Sequence, residues 1–193
     1  MGDVLAILCS GQGGQHAGMF DMIADCPEAL PVFDEAAAVL GEDPRVFVKQ
    51  SDTDKIYSNR NGQILCCTMA LSLFAVLRKY LSGQRILYAG YSVGELSAWG
   101  LAGCLTSSQV LELAAHRAEL MDAVSPKEAG LAGVAGLSRH LIDEITQKAQ
   151  VSIAISNTDE SVVLGGTSEA LDKAVALALS AGSGTARLLK VAV

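Results

Sequence analysis

The chain has 193 residues and a mass of 20.0 kDa, room for one full domain or one domain with a small insertion but not for two large catalytic domains. Half of the residues are apolar, 18% are charged and the mean hydropathy is +0.35, which excludes an intrinsically disordered chain. A net charge of −7 sets nucleic acid aside as a partner, because affinity for phosphate polymers comes from clustered Lys and Arg.

Met1 to Ser10 carries an acid at Asp3 and no basic n-region, so it reads as a first strand rather than a signal peptide. The apolar run Val4 to Cys9 ends in Ser10-Gly11-Gln12-Gly13-Gly14, the pattern of a buried parallel strand feeding a loop and then a helix. Pro31 to Leu40 has helical spacing, and Asp52 to Asn61 is a polar stretch before a long helix from about Gly62 to Leu81, closed by Gly83. Within that helix the apolar run Ile64 to Leu77 is broken by Thr68 and Ser72 and falls short of the ~20 residues of a membrane span, so a core helix is expected and no membrane partner. Arg85 to Ala89 is a second short strand, Val93 to Leu101 a buried helix, and Ser107 to Val124 a further helix with Thr106 or Ser107 as its N-cap.

After Pro126 the texture changes. Gly130 to Leu137 reads as a strand, Arg139 to Gln150 as a helix, Val151 to Ser156 and Ser161 to Gly165 as strands, Ser168 to Ser180 as a helix and Arg187 to Val193 as a strand. That order, β-α-β-β-α-β, is the split βαβ, ferredoxin-like pattern. The expected fold class is therefore α/β: an α/β-hydrolase-like core with a parallel sheet at residues 1–127, and a small ferredoxin-like α+β subdomain at residues 128–193. The last strand ends on apolar residues with no polar tail, so the sequence reads as cut. Five cysteines without a C-x-x-C pair fit neither a zinc site nor a disulfide framework; they read as reduced, mostly buried thiols, and imply a cytoplasmic location.

Gly90-Tyr91-Ser92-Val93-Gly94 follows a predicted strand and opens a predicted helix, the context that makes G-x-S-x-G a nucleophile elbow. A β-carbon at either glycine would crowd the strand and helix meeting there. Ser92 would then face a cleft at a helix N-terminus, where the dipole and the amide of Val93 can stabilise an oxyanion. The competing reading is an ordinary Gly-rich turn with a capping serine. Gly11-Gln12-Gly13-Gly14-Gln15 lacks the third glycine of a dinucleotide fingerprint, where the chain has His16, but its loop could supply the second oxyanion amide. Arg117 falls on an expected inward stripe of positions 113, 114, 117, 120 and 121; its partner could equally be a substrate carboxylate or an internal Asp or Glu. None of the histidines, His16, His116 and His140, is convincingly placed as a general base for Ser92.

Together, Gly11-Gln12-Gly13-Gly14-Gln15, Gln63, Gly90-Tyr91-Ser92-Val93-Gly94-Glu95, Arg117 with Met121, and Asn157 resemble the malonyl-CoA:acyl carrier protein transacylase family over the whole chain. The resemblance implies that Ser92 accepts the acyl group, that Gln12 and the Val93 amide belong to the oxyanion hole, and that Arg117 grips the free malonyl carboxylate. Gln63 and Asn157 match positions near the family's active site. Tyr91 stands where the fatty-acid synthesis enzymes usually have His, Ser10 replaces their Pro and Ile64 follows Gln63 in place of Pro. These departures point sideways within the family, and Gly90-Tyr91-Ser92-Val93-Gly94-Glu95-Leu96 resembles the epsilon subunit of malonate decarboxylase, which makes that complex's other subunits expected partners and malonyl transfer in fatty-acid synthesis the alternative. A serine thioesterase or hydrolase and a non-catalytic, truncated acyltransferase-like subunit are the further alternatives.

The family's catalytic His lies a few residues beyond the strand that ends at Val193, so residues 1–193 alone are expected to be nearly inactive. The implied chemistry is ping-pong acyl transfer from malonyl-CoA to the phosphopantetheine-type thiol of an acyl carrier protein, with no metal or redox cofactor. Carrier docking would need a local basic patch, for which Arg60, Arg78, Lys79 and Arg85 are the candidates; the competing reading is four solvated charges.

Overall fold

The computed structural model describes residues 4–126 and 128–189, and the chain divides into two compact units, Met1–Asp122 and Ala123–Val193. The first unit begins with β1 (Val4–Cys9) and returns to it with β2 (Arg85–Gly90). The two strands pair in parallel, in register from Val4 opposite Arg85 to Cys9 opposite Gly90. The sheet expected from the sequence therefore has two strands among the described residues, and Leu8 and Leu87 are exposed on it rather than buried.

After a turn-rich segment at residues 10–29, the crossover between the strands is built of helices: α1 (Leu30–Leu40), α2 (Pro44–Gln50), α3 (Thr53–Tyr57) and α4 (Asn59–Leu77), the last continuing into a 3-10 turn at Arg78–Tyr80. α1 stops at Gly41, whose φ of 95° is open to glycine and strained for other residues. The sequence reading had no helix at α2 and a polar stretch at α3. Each is started by an aspartate: Asp43 accepts from the Arg45 N–H at 2.8 Å, with Pro44 in the first turn, and Asp52 accepts from the Lys55 N–H at 2.8 Å.

The continuous helical stretch Asn59–Tyr80 has 22 residues and is long and apolar enough to cross a membrane by length and composition. Its Ile64, Cys67 and Leu71 instead lie in one hydrophobic cluster with Cys9, Val93 and Leu111, and its Leu65 in a second with Phe20, Phe33 and Phe47. The Thr68 and Ser72 hydroxyls on its buried face donate back to the carbonyls of Ile64 at 2.8 Å and Thr68 at 2.6 Å, so neither is left unpaired in the core.

α5 (Gly94–Leu101) and α6 (Ser107–Val124) follow β2. Thr106 caps α6 by a reciprocal pair: its hydroxyl accepts from the Gln109 N–H at 3.2 Å, and its own N–H donates to Gln109 Oε1 at 2.9 Å. The inward face of α6 differs from the expected stripe. Val110, Leu111, Ala114, Ala115 and Ala118 are buried, whereas Leu113 and Leu120 are exposed and Arg117 sits half-buried at the edge. Small alanines at i, i+1 and i+4 form the packed face, and the larger leucines drew the sequence reading one step round the helix. Leu111→Ala, at a side chain 0% exposed, is expected to lower unfolding free energy by about 2–5 kcal/mol. Leu120→Ala, at one 56% exposed, should stay within about 0.5 kcal/mol of wild type. Urea denaturation of the two variants checks the assignment, and equal losses would restore the original stripe.

The second unit contains β3 (Ala129–Ala135), α7 (Arg139–Ala149), β4 (Ser152–Thr158), β5 (Ser161–Thr167), α8 (Ser168–Ser180) and β6 (Thr185–Leu188). Its four-stranded antiparallel sheet has the order β4-β5-β3-β6. Ile142 and Ile145 of α7 and Leu171, Ala174 and Ala178 of α8 pack with Val134, Val162 and Leu164 from the sheet. The last strand begins two residues earlier than the sequence suggested, and the part of that expectation covering residues 190–193 lies outside the described residues.

Candidate active site

Parallel pairing brings two chain turns to one sheet edge. Because Cys9 lies opposite Gly90, the loop after β1 and the turn after β2 both leave at the carboxyl ends of the strands, where open α/β sheets place ligands. The Tyr91 N–H continues the ladder by donating to the Cys9 carbonyl at 3.0 Å. The glycines of Gly90-Tyr91-Ser92-Val93-Gly94 are there for space. A β-carbon on Gly90 would lie 2.2 Å from the Gly94 carbonyl group, and one on Gly94 would lie 2.3 Å from the Cys9 carbonyl oxygen. Between them Ser92 adopts φ 55°, a left-handed conformation rare for a non-glycine residue and typically costing about 1–3 kcal/mol.

Ser92 is half-buried, and the side chain meeting it is Arg117 of α6: Nη2 donates to Ser92 Oγ at 3.3 Å, while Nη1 donates to Gln63 Oε1 at 2.7 Å. Of the two partners left open for Arg117, no carboxylate pairs with it among the described residues. Gln63, 0% exposed on α4, in turn donates through Nε2 to Asn59 Oδ1 at 2.7 Å and to the Met121 sulfur at 3.5 Å. Asn59 Nδ2 donates to Asp122 Oδ1 at 2.8 Å and to the Ala118 carbonyl at 3.3 Å. Gln12 reaches the same group, its Nε2 lying 3.3 Å from Asn59 Oδ1. Ser92, Gln12, Gln63 and Arg117 are thus brought together, joined by Asn59 and Asp122, which the sequence reading did not single out. The available signal was the four-residue spacing of Asn59 and Gln63, one helical turn apart.

The loop after β1 is held by its own buried glutamine. Gln15, 2% exposed, accepts the Gly13 N–H at 2.6 Å, and its carbonyl accepts the Tyr57 hydroxyl at 3.0 Å. Gly62 makes room for both loop amides, since a β-carbon there would lie 2.6 Å from Gln15 Nε2 and 3.0 Å from Gln12 Nε2. The N–H groups of Gln12 and Val93 make no hydrogen bond among the described residues, so both remain available to an incoming oxyanion.

The histidines are engaged away from Ser92. His16 Nδ1 accepts the Gly18 N–H at 3.2 Å, His116 lies 3.7 Å from Glu119 and His140 lies 3.2 Å from Glu144, each on an exposed side chain. The cysteines are free thiols. Burial pushes the Cys66 thiol up to about 12 and that of Cys67 to about 11, which leaves both protonated and unreactive at neutral pH. Cys9 and Cys67 are buried, Cys26 and Cys66 half-buried and Cys104 exposed, so fewer of the thiols are buried than expected. No cluster of metal-ligating side chains occurs among the described residues. A cavity of about 560 Å³ runs along β1 past Gln15, Cys66 and Met69 without reaching Ser92 or Arg117, so donor chemistry rather than cavity size marks the site. Asn157 lies on β4 of the second unit. Two of the basic residues considered for docking are already paired, Arg60 with Glu119 at 3.2 Å and Lys79 with Glu28 at 2.6 Å.

A serine in a strained strand-to-helix turn beside an arginine with no carboxylate partner among the described residues is an arrangement suited to acyl transfer. The sequence matches the acyl transferase domain family over residues 7–193, and the chain belongs to that family. It is 29% identical to the malonyl CoA-acyl carrier protein transacylase of Escherichia coli O157:H7 over 97% of its own length and 63% of that protein's. The malonyl CoA-acyl carrier protein transacylase structure from Coxiella burnetii superposes with a TM-score of 0.87 at 27% identity, over 100% of this chain and 63% of that one. A type II PKS acyl-carrier protein in complex with its malonyl-transacylase gives a TM-score of 0.85 at 28% identity, over 99% of this chain and 64% of the matched chain. The chain thus spans a little under two thirds of the length of these relatives.

Proposed function

We propose that the protein carrying this chain moves a malonyl group from malonyl-CoA to the thiol of an acyl carrier protein through a malonyl ester on Ser92. The observation that carries this reading is the Arg117 guanidinium, anchored on Gln63, lying 3.3 Å from Ser92 Oγ with no carboxylate of its own among the described residues. A buried or half-buried guanidinium demands an anion, and a malonyl thioester supplies one two carbons from the carbonyl that Ser92 attacks.

In the first half-reaction the Ser92 oxygen bonds to the thioester carbon, its proton passes to a general base, and the C–S bond breaks to release coenzyme A. Oxyanion charge falls to the N–H groups of Gln12 and Val93, a contribution typically of ~3 kcal/mol per donor. The carrier thiol then gives its proton to the base and its sulfur bonds to the ester carbon; the C–O bond to Ser92 breaks, and the base returns a proton to the Ser92 oxygen. The base is proposed to lie outside this sequence, in keeping with the family resemblance and with the three histidines being engaged elsewhere. None of these steps calls for a metal or redox cofactor, and the thiol-rich composition suits a cytoplasmic setting.

The relatives named for malonyl transfer to acyl carrier protein support the fatty-acid synthesis context better than malonate decarboxylase, which rests on Tyr91 and its neighbours alone. In the same reading Gly90 to Gly94 is a nucleophile elbow, supported by the φ of Ser92 and the crowding at both glycines. Residues 1–127 are read as a hydrolase-like core and residues 128–193 as a ferredoxin-like subdomain, the latter supported by the β-α-β-β-α-β order. Asn157 is retained as a substrate-side residue. For carrier docking, Arg78 and Arg85 are the candidates that form no ion pair among the described residues.

Mixing the full-length protein with malonyl-CoA and quenching in acid should leave a malonyl adduct on the peptide containing Ser92, detectable by mass spectrometry and absent from Ser92→Ala. Rapid release of free malonate with no trappable ester, and no transfer to carrier, would instead identify a hydrolase.

A further inference from the structure

The hydrogen bonds behind Arg117 run in one direction only. A guanidinium can only donate and an ionised carboxylate can only accept, so the two ends of the chain Arg117, Gln63, Asn59, Asp122 are fixed. Gln63 must present Oε1 to Arg117, which leaves its Nε2 to donate at 2.7 Å to Asn59 Oδ1; Asn59 must then donate from Nδ2 to Asp122 at 2.8 Å. Turning either amide over would set donor against donor at one end. Gln63 and Asn59 are 0% and 2% exposed, so water cannot satisfy the displaced groups. Asp122, by contrast, is exposed. Asn59 Oδ1 is also the acceptor for Gln12 Nε2 at 3.3 Å, which ties the loop after β1 to the same chain.

We propose that Asn59 is a positioning residue for acyl-group selection: oriented by Asp122, it sets the direction of the Gln63 amide and thereby holds the Arg117 guanidinium beside Ser92. This rests on the malonyl-transfer reading and adds to it a residue that acts on Arg117 through Gln63. Discrimination between an acyl group carrying a carboxylate and one lacking it then depends on an asparagine behind the arginine. Acyl groups without a carboxylate make no demand on Arg117, so a merely structural role for Asn59 would affect both classes alike.

The test uses the full-length protein and compares loading of Ser92 by malonyl-CoA and by acetyl-CoA. In Asn59→Leu the acceptor for Gln63 is gone, and that for Gln12 with it; any effect through Gln12 falls on both substrates, so the malonyl-to-acetyl ratio is the readout and should fall by about 10- to 100-fold, the scale of a misplaced positioning group. The paired exchange Asn59→Asp with Asp122→Asn keeps an acceptor facing Gln63 and moves the donor to the other side of the link, so the ratio should return to near wild type. An unchanged ratio in Asn59→Leu, or an exchange variant that folds but stays as unselective as the leucine variant, overturns the proposal. Should Asn59→Leu not fold, the exchange variant decides alone: selectivity kept supports the relay and selectivity lost refutes it. If the wild-type protein itself does not favour malonyl, it is the functional reading that fails. The relay is then judged by crystal structures of the variants, where Arg117 leaving Gln63 in the leucine variant and returning in the exchange is the expected result, and an unmoved guanidinium the contrary one.

Discussion

Arg117→Ala is expected to reduce malonyl loading of Ser92 by about two to four orders of magnitude while leaving acetyl loading close to wild type. The size follows from stranding one member of a desolvated ion pair, which typically costs about 3–5 kcal/mol, with each 1.4 kcal/mol a factor of ten. Arg117→Lys keeps the charge but loses the planar fork that reaches Gln63 and Ser92 together, so about a tenfold loss is expected. The alanine change also leaves Gln63 Oε1 unpaired in a buried position, which should cost about 1–3 kcal/mol of stability. Thermal melts run beside the kinetics separate the two effects. If malonyl and acetyl loading fall together, Arg117 is holding the fold rather than selecting the acyl group.

Gly94→Ala should be among the most damaging single changes in the first unit, although it alters no group that reacts. Its β-carbon would lie 2.3 Å from the Cys9 carbonyl oxygen and 2.7 Å from that of Ser10, and both obstacles are backbone. Relief requires moving α5 away from β1, which opens the cluster of Cys9, Val93 and Ala98. A loss above about 4 kcal/mol is expected, enough to remove most of the stability of a typical domain. Little soluble protein, or a strongly lowered melting temperature, is the anticipated readout. Wild-type melting of Gly94→Ala would mean that the turn has another shape.

The serine turn was legible because its demands are local: two glycines, a strand before and a helix after leave few alternatives. The helices around α2 and α3 were overlooked because each is short and begins with an aspartate inside a polar segment, where a cap and a loop look alike. On α6 the leucines at 113 and 120 outweighed the alanines at 114, 115 and 118, yet the alanines form the buried face. Arg117 does lie beside Ser92, although the stripe that pointed to it was wrongly drawn. Asn59 and Asp122 escaped notice for a different reason. Their value lies in which way an amide points, and neither periodicity nor composition encodes a direction.

The in-register ending of β1 and β2 has a bearing on how this chain can vary. Cys9 and Gly90 are partners, and the two turns that hold Gln12 and Ser92 begin immediately beyond them. One residue gained or lost at either strand end would displace one turn against the other by about 3.3 Å, more than the reach of a hydrogen bond can absorb. The helical crossover carries no such restriction, since lengthening a connection adds only slowly to its closure entropy. Natural length variation in relatives should accordingly gather between Gly14 and the start of α4 and spare the carboxyl ends of both strands.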